Sequence, residues 1–385
     1  MREEDSLLKF EAPEIIYGIG ALAQIGQCAR RLGGERIFLV TDPGVIQAGW
    51  VDEAIRVLDE EDLKYVVYDN VVTNPRDFQV QDGVQIYNSG NCDVIVAVGG
   101  GSPIDTAKGI AIVVTNHGRI HDYEGCNEIT QPIPPLVCAP TTAGTGADVS
   151  QFAVITDTER RSKMTILSRA IMPDISLIDP RLLQTKPADL MAATGMDTLT
   201  HALEAYVSSL SWPLTDPHAI HAIELVKEHL VQAVRFKNVQ ALEGMSIACL
   251  ESGIAFSNAI LGAVHALAHP LGGMFDIHHG VANSVLLPVV VRQNLEYSVE
   301  KYARVASAMG VDTSGMTTEQ AAQSVLLEIE QLIEVLELPR RLSSLGVSPE
   351  DIPTMAAMAQ QDICMQTNPH CYSIEEIEQL YREAL

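Results

Sequence analysis

Apolar residues in the first half of the chain alternate between short continuous runs and stretches with a helical period. Continuous runs occupy residues 36–40, 64–68 and 93–98, and helical stretches occupy residues 45–59 and 77–90. Short Val- and Ile-rich runs between helices are typical of strands buried on both faces, as in a parallel sheet covered by helices. The pattern therefore predicts an α/β layer whose ligands bind beyond the carboxyl ends of the strands.

The second half of the chain has a different pattern, in which long helical stretches follow one another. They are predicted at residues 188–209, 217–234, 241–258, 260–269, 282–309, 318–336 and 375–385. A chain of 385 residues also exceeds the size at which one hydrophobic core stops growing. We therefore expect two domains, an α/β domain over residues 1–184 and an all-helical domain over residues 185–385.

Charge and cysteine content restrict the partners and the location. A net charge of −25 argues against nucleic acid or an anionic membrane as a partner, because both require a basic surface. The segment from Met1 to Asp5 lacks the features of a signal peptide, and no apolar run reaches membrane-spanning length. Seven cysteines without a Cys-x-x-Cys spacing are typical of free thiols in a reducing compartment. We expect a cytoplasmic protein.

Several of the histidines lie in one small and apolar segment: His265, His269, His278 and His279. The first two are four residues apart, which places them on one face of a helix. Pro270 and the glycine pair that follows it are expected to break that helix, so that the chain can return. Either His278 or His279 could then enter the same volume.

Asp197 and His201 form a second pair with the same spacing. Two helices that each direct imidazole or carboxylate inward describe a site for one divalent metal. The alternative for either pair alone is a set of core side chains with satisfied hydrogen bonds. The two pairs together, with a histidine beyond the helix break, favour the metal.

Two predicted strands end in residues suited to a nucleotide. The carboxylate of Asp42, after the first strand, can accept hydrogen bonds from a ribose diol and repel a 2′-phosphate, although a helix-capping Asp is the alternative. The third strand runs into a glycine-rich turn at the start of a helix, an arrangement that binds anions through backbone N–H groups. This turn comprises Gly99, Gly100, Gly101 and Ser102. Ser102 is expected to be the N-cap of that helix, with Pro103 at its first position.

A loop rich in hydroxyl groups and glycine follows at residues 139–148. Its Thr141, Thr142 and Thr145 can donate to phosphate or ribose oxygens, and an ordinary polar loop is the alternative. Lys163 offers a nearby cation unless it lies in an exposed basic turn. These features predict a Rossmann-like dinucleotide-binding domain at residues 1–184 and a metal-binding catalytic domain at residues 185–385.

The motifs resemble those of the iron-containing (group III) alcohol dehydrogenases over nearly the whole chain. The matching segments are Gly99-Gly-Gly-Ser-Pro-Ile-Asp105, Pro140-Thr-Thr-Ala-Gly-Thr-Gly146 and Ala193-Thr-Gly-Met-Asp-Thr-Leu-Thr-His-Ala-Leu-Glu-Ala-Tyr206, together with the histidine segment. The resemblance implies a dehydroquinate synthase-like architecture and places the metal ligands at Asp197, His201, His265 and His279. It makes His269 a catalytic residue near the nicotinamide rather than a ligand, in a proton-relaying or a steric role.

The resemblance also implies the cofactors. The NAD(H)-binding positions are Asp42, Asn74, Gly99, Gly100, Gly101, Ser102, Thr141, Thr142, Thr145 and Lys163. The expected metal is Fe²⁺, although one carboxylate and three imidazoles also suit Zn²⁺, Co²⁺ or Mn²⁺. The implied reaction is hydride transfer between the nicotinamide and a short-chain alcohol or aldehyde polarised by the metal.

The family forms dimers and larger assemblies, so a homodimer or larger homo-oligomer is expected. One alternative keeps the fold and metal in a glycerol dehydrogenase or dehydroquinate synthase-like enzyme. A second alternative is a regulatory protein that retains the fold without turnover.

Overall fold

The structure, a computed structural model, describes residues 8–385. The segment Met1 to Asp5, on which the expectation about a signal peptide rested, lies outside the described residues. The described chain forms two compact units, one over Ala12–Lys186 and the other over residues 8–11 and Pro187–Leu385. The division after residue 184, with its functional assignment, stays a prediction.

The first unit is an α/β fold. Its strands are β1 (Glu14–Tyr17), β2 (Arg36–Val40), β3 (Lys64–Tyr68), β4 (Val94–Gly99), β5 (Gly125–Cys126), β6 (Leu136–Pro140), β7 (Phe152–Asp157), β8 (Ser162–Leu167) and β9 (Ile175–Ile178). One sheet has the order β1-β9-β6-β4-β2-β3 with parallel pairing throughout. A smaller sheet has the order β5-β8-β7, in which β7 and β8 form an antiparallel pair.

Five helices accompany these strands in the described part of the unit: α1 (Ile25–Arg31), α2 (Pro43–Gln47), α3 (Trp50–Glu60), α4 (Asp77–Gly90) and α5 (Gly101–Asn116). Consecutive residues of β2 enter two different cores, with Ile37 and Leu39 in one and Phe38 and Val40 in the other. Strands covered on both faces explain the continuous apolar runs. The predicted α/β fold with a parallel sheet is confirmed.

Two predictions about helices in this unit are wrong. The stretch 45–59, predicted as one helix, is divided between α2, which ends at Gln47, and α3, which begins at Trp50. Gly49, with a φ of 84°, separates them. Helix α5 begins at Gly101 with Gly100 as its N-cap, so Ser102 lies inside the first turn and does not cap. Gly100 has the extended conformation of an N-cap, with φ −78°, and the helix therefore begins earlier than the Ser-Pro signal indicated.

The second unit is helical. Its helices are α6 (Ala188–Val207), α7 (Asp216–Phe236), α8 (Val239–Ala259), α9 (Ala263–Phe275), α10 (His279–Asn294), α11 (Val299–Ala308), α12 (Thr318–Val335), α13 (Ile352–Gln361) and α14 (Ile374–Ala384). The predicted helix at residues 282–309 is wrong, because α10 and α11 are separate helices there. Ser298, with φ −148°, precedes α11 and interrupts the apolar period.

The predicted break of the histidine helix at Pro270 is also wrong. Helix α9 continues through Pro270 to Phe275. Proline removes one backbone N–H from the helix interior, but α9 is buried from Ala263 to Gly272 and tertiary packing keeps it helical. The chain turns instead at Asp276, whose φ is 55°.

Among the described residues, no individual helix meets the length and hydropathy expected of a membrane span. The bent pair α8 and α9, which meet at 102°, satisfies these criteria only when taken together.

Candidate functional site

Four potential metal ligands meet inside the helical unit. They are Asp197 and His201 of α6, His265 of α9 and His279, the first residue of α10. Each contributes one ligand atom, and these atoms all lie within 4.8 Å of one another. Residues that are 82 positions apart in the chain are thus brought together by three helices.

The distances are close to those of a coordination shell. Nδ1 of His201, Nε2 of His265 and Nε2 of His279 each lie 3.8 Å from Oδ1 of Asp197. Bonds from Zn²⁺ to nitrogen or oxygen are about 2.1 Å long, so ligand atoms around one ion lie roughly 3–3.5 Å apart. The donor set and its spacing fit a divalent metal after small side-chain movements.

The cluster is largely withdrawn from solvent. Asp197, His201 and His265 are buried, whereas the His279 side chain is 29% exposed. Burial, followed by the neighbouring rings, lowers the pKa of His265 well below its ordinary value. The ring is therefore neutral at neutral pH, which is the form that binds a metal.

A second carboxylate holds the far side of His265. Oε2 of Glu204, on α6, lies 2.6 Å from Nδ1 of His265. Both side chains are buried, and Nε2 of the same ring faces Asp197. Burial raises the pKa of Glu204 to about 8, although hydrogen bonds from the backbone of Val264 and Gly262 act in the opposite direction.

Asn283 reaches into the centre of the cluster. Its Nδ2 donates to Oδ1 of Asp197 at 2.7 Å and lies 3.2 Å from Nε2 of both His265 and His279. Three of the potential ligand atoms thus converge on one donor. Oδ1 of the fully buried Asn283 has no hydrogen-bond partner among the described residues. A buried amide with one unpaired atom marks this as a site that favours a further polar ligand.

Direct backbone packing fixes the separation of the two helices that carry Asp197 and His279. A Cβ added at Gly280 would lie 2.2 Å from the backbone oxygen of Ala193. Such an approach excludes every side chain larger than hydrogen at position 280.

His269 lies beside the cluster but outside it. Its ring stacks on His279 with centroids 5.6 Å apart, and its Nδ1 lies 2.6 Å from Oδ2 of Asp362. Burial raises the pKa of Asp362, but the nearby His269 and the hydrogen bonds from His269 and Cys364 outweigh it, and the pKa is lowered. The structure therefore separates His269 from the His265 group with which helical spacing alone had paired it.

The residues expected to bind a nucleotide follow adjacent strands of the α/β unit. Asp42 comes after β2, Gly99 ends β4 and Thr141 comes after β6, and these three strands are neighbours in the sheet. Carboxyl ends of parallel strands meet at one edge, which is where α/β folds bind ligands. Asp42 also caps α2, because its Oδ1 accepts from the backbone N–H of Val45 at 3.0 Å. The capping alternative is therefore observed.

The glycine turn packs against the threonine loop. A Cβ at Gly100 would lie 3.1 Å from Oγ1 of Thr142, and one at Gly101 would lie 2.7 Å from Cγ2 of Thr145. Thr141 is buried, and its hydroxyl has no hydrogen-bond partner among the described residues. Small residues and an unpaired hydroxyl suit the close approach of a polar ligand.

Lys163 and Asn74 form a pair in the same unit. Nζ of Lys163 donates to Oδ1 of Asn74 at 2.8 Å. Asn74 is buried with φ 55°, a conformation that Asn tolerates better than most residues. Lys163 is therefore partly buried and hydrogen-bonded, and does not lie in an exposed basic turn.

Glu204, Asn283 and Asp362 were not identified from the sequence. Two of them carry a spacing signal, since Glu204 is three residues after His201 and Asn283 is four residues after His279. Those intervals place them on the helix faces of the ligands. Asp362 has no such signal, because it is 93 residues from His269.

Known proteins match the chain from end to end. A family model described as iron-containing alcohol dehydrogenase matches residues 12–180, and one described as the C-terminal part of the Fe-containing alcohol dehydrogenase family matches residues 191–385. The chain is 44% identical to 1,3-propanediol dehydrogenase of Citrobacter freundii, with 96% of each chain covered.

Two further matches agree in coverage. The NAD-dependent methanol dehydrogenase of Bacillus methanolicus is 38% identical, with 98% of this chain and 99% of that protein covered. A crystal structure of 1,3-propanediol oxidoreductase superposes with a TM-score of 0.96 at 42% identity, covering 99% of this chain and 100% of the other.

Proposed function

Since the chain belongs to the iron-containing alcohol dehydrogenase family, we propose that it interconverts a short-chain alcohol and its aldehyde with NAD⁺ and NADH. The resemblance read from the sequence is confirmed, and the chain is an oxidoreductase of this family. The observation that carries the proposal is the cluster of Asp197, His201, His265 and His279. Three histidine nitrogens at one distance from one carboxylate oxygen are suited to a metal that polarises a C–O bond.

The metal in this proposal is Fe²⁺, with Zn²⁺ as the alternative. One carboxylate and three imidazoles would hold either ion, and neither donor type excludes the other metal. The partly exposed His279 marks the side of the cluster that a small substrate can reach.

When bound, the metal would supply Lewis acidity at the substrate oxygen, and NAD⁺ would accept the hydride. Oxidation of an alcohol then releases one proton along with the aldehyde and NADH. We assign this proton to His269. Because Asp362 holds Nδ1, Nε2 of His269 is the ring nitrogen left to receive it.

The nucleotide is assigned to the α/β unit. Backbone N–H groups at the start of α5 would bind the pyrophosphate, and Gly100 and Gly101 allow Thr142 and Thr145 to lie close to that helix start. We assign the ribose diol to Asp42, whose negative charge disfavours a 2′-phosphate and therefore favours NAD(H) over NADP(H). Thr141, Thr142, Thr145, Asn74 and Lys163 complete the proposed contacts.

The test follows NADH consumption by protein prepared anaerobically and loaded with Fe²⁺ or Zn²⁺. The panel contains acetaldehyde, propanal, lactaldehyde and dihydroxyacetone, the last of which reports a glycerol dehydrogenase activity. His265→Ala removes one ligand, and His221→Ala is the matched control because that ring is 50% exposed and outside the cluster.

We expect metal-dependent turnover in the wild type and in His221→Ala, and none in His265→Ala. Absence of turnover over the whole panel, with metal and NADH both bound, would favour a regulatory protein. Equal turnover in wild type and His265→Ala would refute the assigned site.

We extend the proposal to location and assembly. All seven cysteines of the chain are free thiols, which supports a reducing, cytoplasmic compartment. Membership of the family supports a homodimer or a larger homo-oligomer. Light scattering coupled to size-exclusion chromatography measures the assembly, and a monomeric mass at micromolar concentration would refute it.

A further inference from the structure

The N-terminus of α9 is held by side chains from other parts of the chain. Its N-cap is Gly262, which has no side chain to accept from the first N–H groups. Oε2 of Glu204 accepts from the N–H of Gly262 at 3.0 Å, and Oε1 accepts from Val264 at 2.6 Å. Oδ1 of Asn368 accepts from the intervening Ala263 at 3.2 Å. Free N–H groups at a buried helix start are costly, so these acceptors stabilise α9.

The same carboxylate also contacts a proposed metal ligand. Oε2 of Glu204 lies 2.6 Å from Nδ1 of His265, the third residue after the N-cap. Glu204 itself is 4% exposed and lies on α6, which also carries Asp197 and His201. One side chain therefore connects the helix of the first two ligands to both the start of α9 and the ring of the third.

We propose that Glu204 is a positioning residue of the metal centre, which holds the start of α9 and the ring of His265 in a single arrangement with Nε2 directed at Asp197. This inference rests on the proposed function, because it assumes that the cluster binds a metal.

The chemistry of the pair supports this role. Nδ1 of His265 and Oε2 of Glu204 lie within hydrogen-bonding distance of each other, at 2.6 Å. A cation on Nε2 requires the lone pair there, which leaves Nδ1 as the ring nitrogen that donates its N–H to Glu204. A carboxylate in this position accepts from two backbone N–H groups and from the ring, and it also lies at the positive end of the helix.

Glutamine is the most informative substitution for Glu204, because its side chain has the same size and shape as that of glutamate. Its amide has one acceptor oxygen and an NH₂ group that cannot accept. In Glu204→Gln, at least one of the three N–H groups must face another donor. Hydrogen-bonded neighbours of metal ligands typically contribute about 10–100-fold in metal affinity, and we expect a loss of that size.

The matched control is Asn368→Ala. Asn368 supports the same helix start but, among the described residues, forms no hydrogen bond with a member of the cluster; its other partners include Asn294 and the backbone of His370. A role limited to capping α9 would make the two variants alike. A role in positioning His265 makes only Glu204→Gln lose affinity.

The experiment measures the dissociation constant of Zn²⁺ for the metal-free full-length protein, by competition with a chromophoric chelator. Melting temperatures are recorded for every variant. We expect Glu204→Gln to bind Zn²⁺ about 10–100-fold more weakly than wild type. Asn368→Ala should have a lower melting temperature, but its dissociation constant for Zn²⁺ should stay within about 3-fold of the wild-type value. Equal affinities of wild type and Glu204→Gln, or equal losses in the two variants, would overturn the inference.

A second measurement uses the wild type and stands even if Glu204→Gln does not fold. Hydrogen exchange followed by mass spectrometry reports the amides of residues 260–266 with and without Zn²⁺. Because the carboxylate joins these amides to the ligand, Zn²⁺ is expected to slow their exchange. Unchanged exchange in protein that binds Zn²⁺ would refute the coupling, whereas a wild type that binds neither Zn²⁺ nor Fe²⁺ would refute the proposed function itself.

Discussion

Asp362 fixes the ring of His269, with its Oδ2 2.6 Å from the ring Nδ1. A carboxylate that holds Nδ1 leaves Nε2 as the nitrogen that would receive the proton in the proposed reaction. Asp362→Asn should therefore lower kcat for alcohol oxidation by about 100-fold, in the range typical of acid–base catalysis, with a smaller change in KM. Steady-state kinetics measures this, and Asp276→Asn, an exposed carboxylate near the end of α9, serves as the control. Unchanged kcat would leave His269 a steric role only.

The adjacent residues His278 and His279 provide a test of the metal centre. Only His279 belongs to the cluster around Asp197. We expect His279→Ala to lose at least about 100-fold in metal affinity, because loss of a hydrogen-bonded neighbour of a ligand already costs up to about 100-fold and loss of the ligand itself should cost more. His278→Ala should bind metal with nearly the affinity of the wild type. Metal content after dialysis, measured by mass spectrometry, decides between them. Retention of metal by His279→Ala would show that another residue completes the shell.

Asp42 caps α2 and is also proposed to bind the ribose, and substitutions can separate these two roles. Asp42→Asn keeps a side-chain acceptor for α2 but removes the negative charge, whereas Asp42→Gly removes both the acceptor and the charge. We expect both variants to gain at least about 10-fold in kcat/KM for NADPH relative to NADH, since an opposing charge near the 2′-phosphate is lost. If neither variant gains NADPH activity, Asp42 does not contact the ribose.

Lys108 is a buried cation that supports the β7 start. Its Nζ donates to the backbone oxygens of Ser150 and Phe152, at 2.7 Å each. Burial lowers the pKa of Lys108, and Asp105 opposes this shift. Lys108→Met should cost about 3–5 kcal/mol in the free energy of unfolding, because it leaves two backbone carbonyls without their donor. Urea unfolding measures this loss, and the exposed Lys64→Met should change it by less than about 0.5 kcal/mol.

Asp179 gives the α/β unit an acid-sensitive contact. Burial raises its pKa, but hydrogen bonds from Arg181 and from the backbone of Leu22 outweigh this and lower the pKa below its ordinary value. A carboxyl whose pKa is lower in the folded chain stabilises the fold above its unfolded pKa of about 3.9, and this contribution is lost as the pH falls through the folded value.

Asp179→Asn should therefore be about 1–3 kcal/mol less stable than wild type at pH 7, and the difference should shrink at pH 3. Urea unfolding at the two pH values measures the change. A difference that is the same at both would show that packing, rather than charge, sets the role of Asp179.

The sheet could be predicted because each strand has a recognisable local pattern of apolar residues. Runs such as residues 36–40 need no distant partner to indicate burial on both faces. The helix ends were less accessible. Pro270 and the following glycine pair are local breakers, but the burial of α9 comes from distant helices and outweighs them. The helix end predicted from these local breakers was therefore wrong, because long-range packing opposed them.

The four residues that cluster at the candidate site were predicted from the sequence, and the residues that support them were not. The residues Asp197, His201 and His265 belong to motifs that a sequence displays. The contact between Asp362 and His269 depends on the return of the C-terminal segment to α9, which no spacing records. Hydrogen-bonding neighbours of a site are set by tertiary structure, and only the structure reveals them.

The contact of Gly280 with the backbone of Ala193 has a consequence for how this centre can change. Main chain, rather than side chains, sets the span between Asp197 and His279, so no exchange at the contact can tighten the cage. Selection for a different metal in this chain would therefore act on the identity of a ligand or on the residue that orients it. The backbone separation of α6 and α10 at this contact is closed to gradual adjustment.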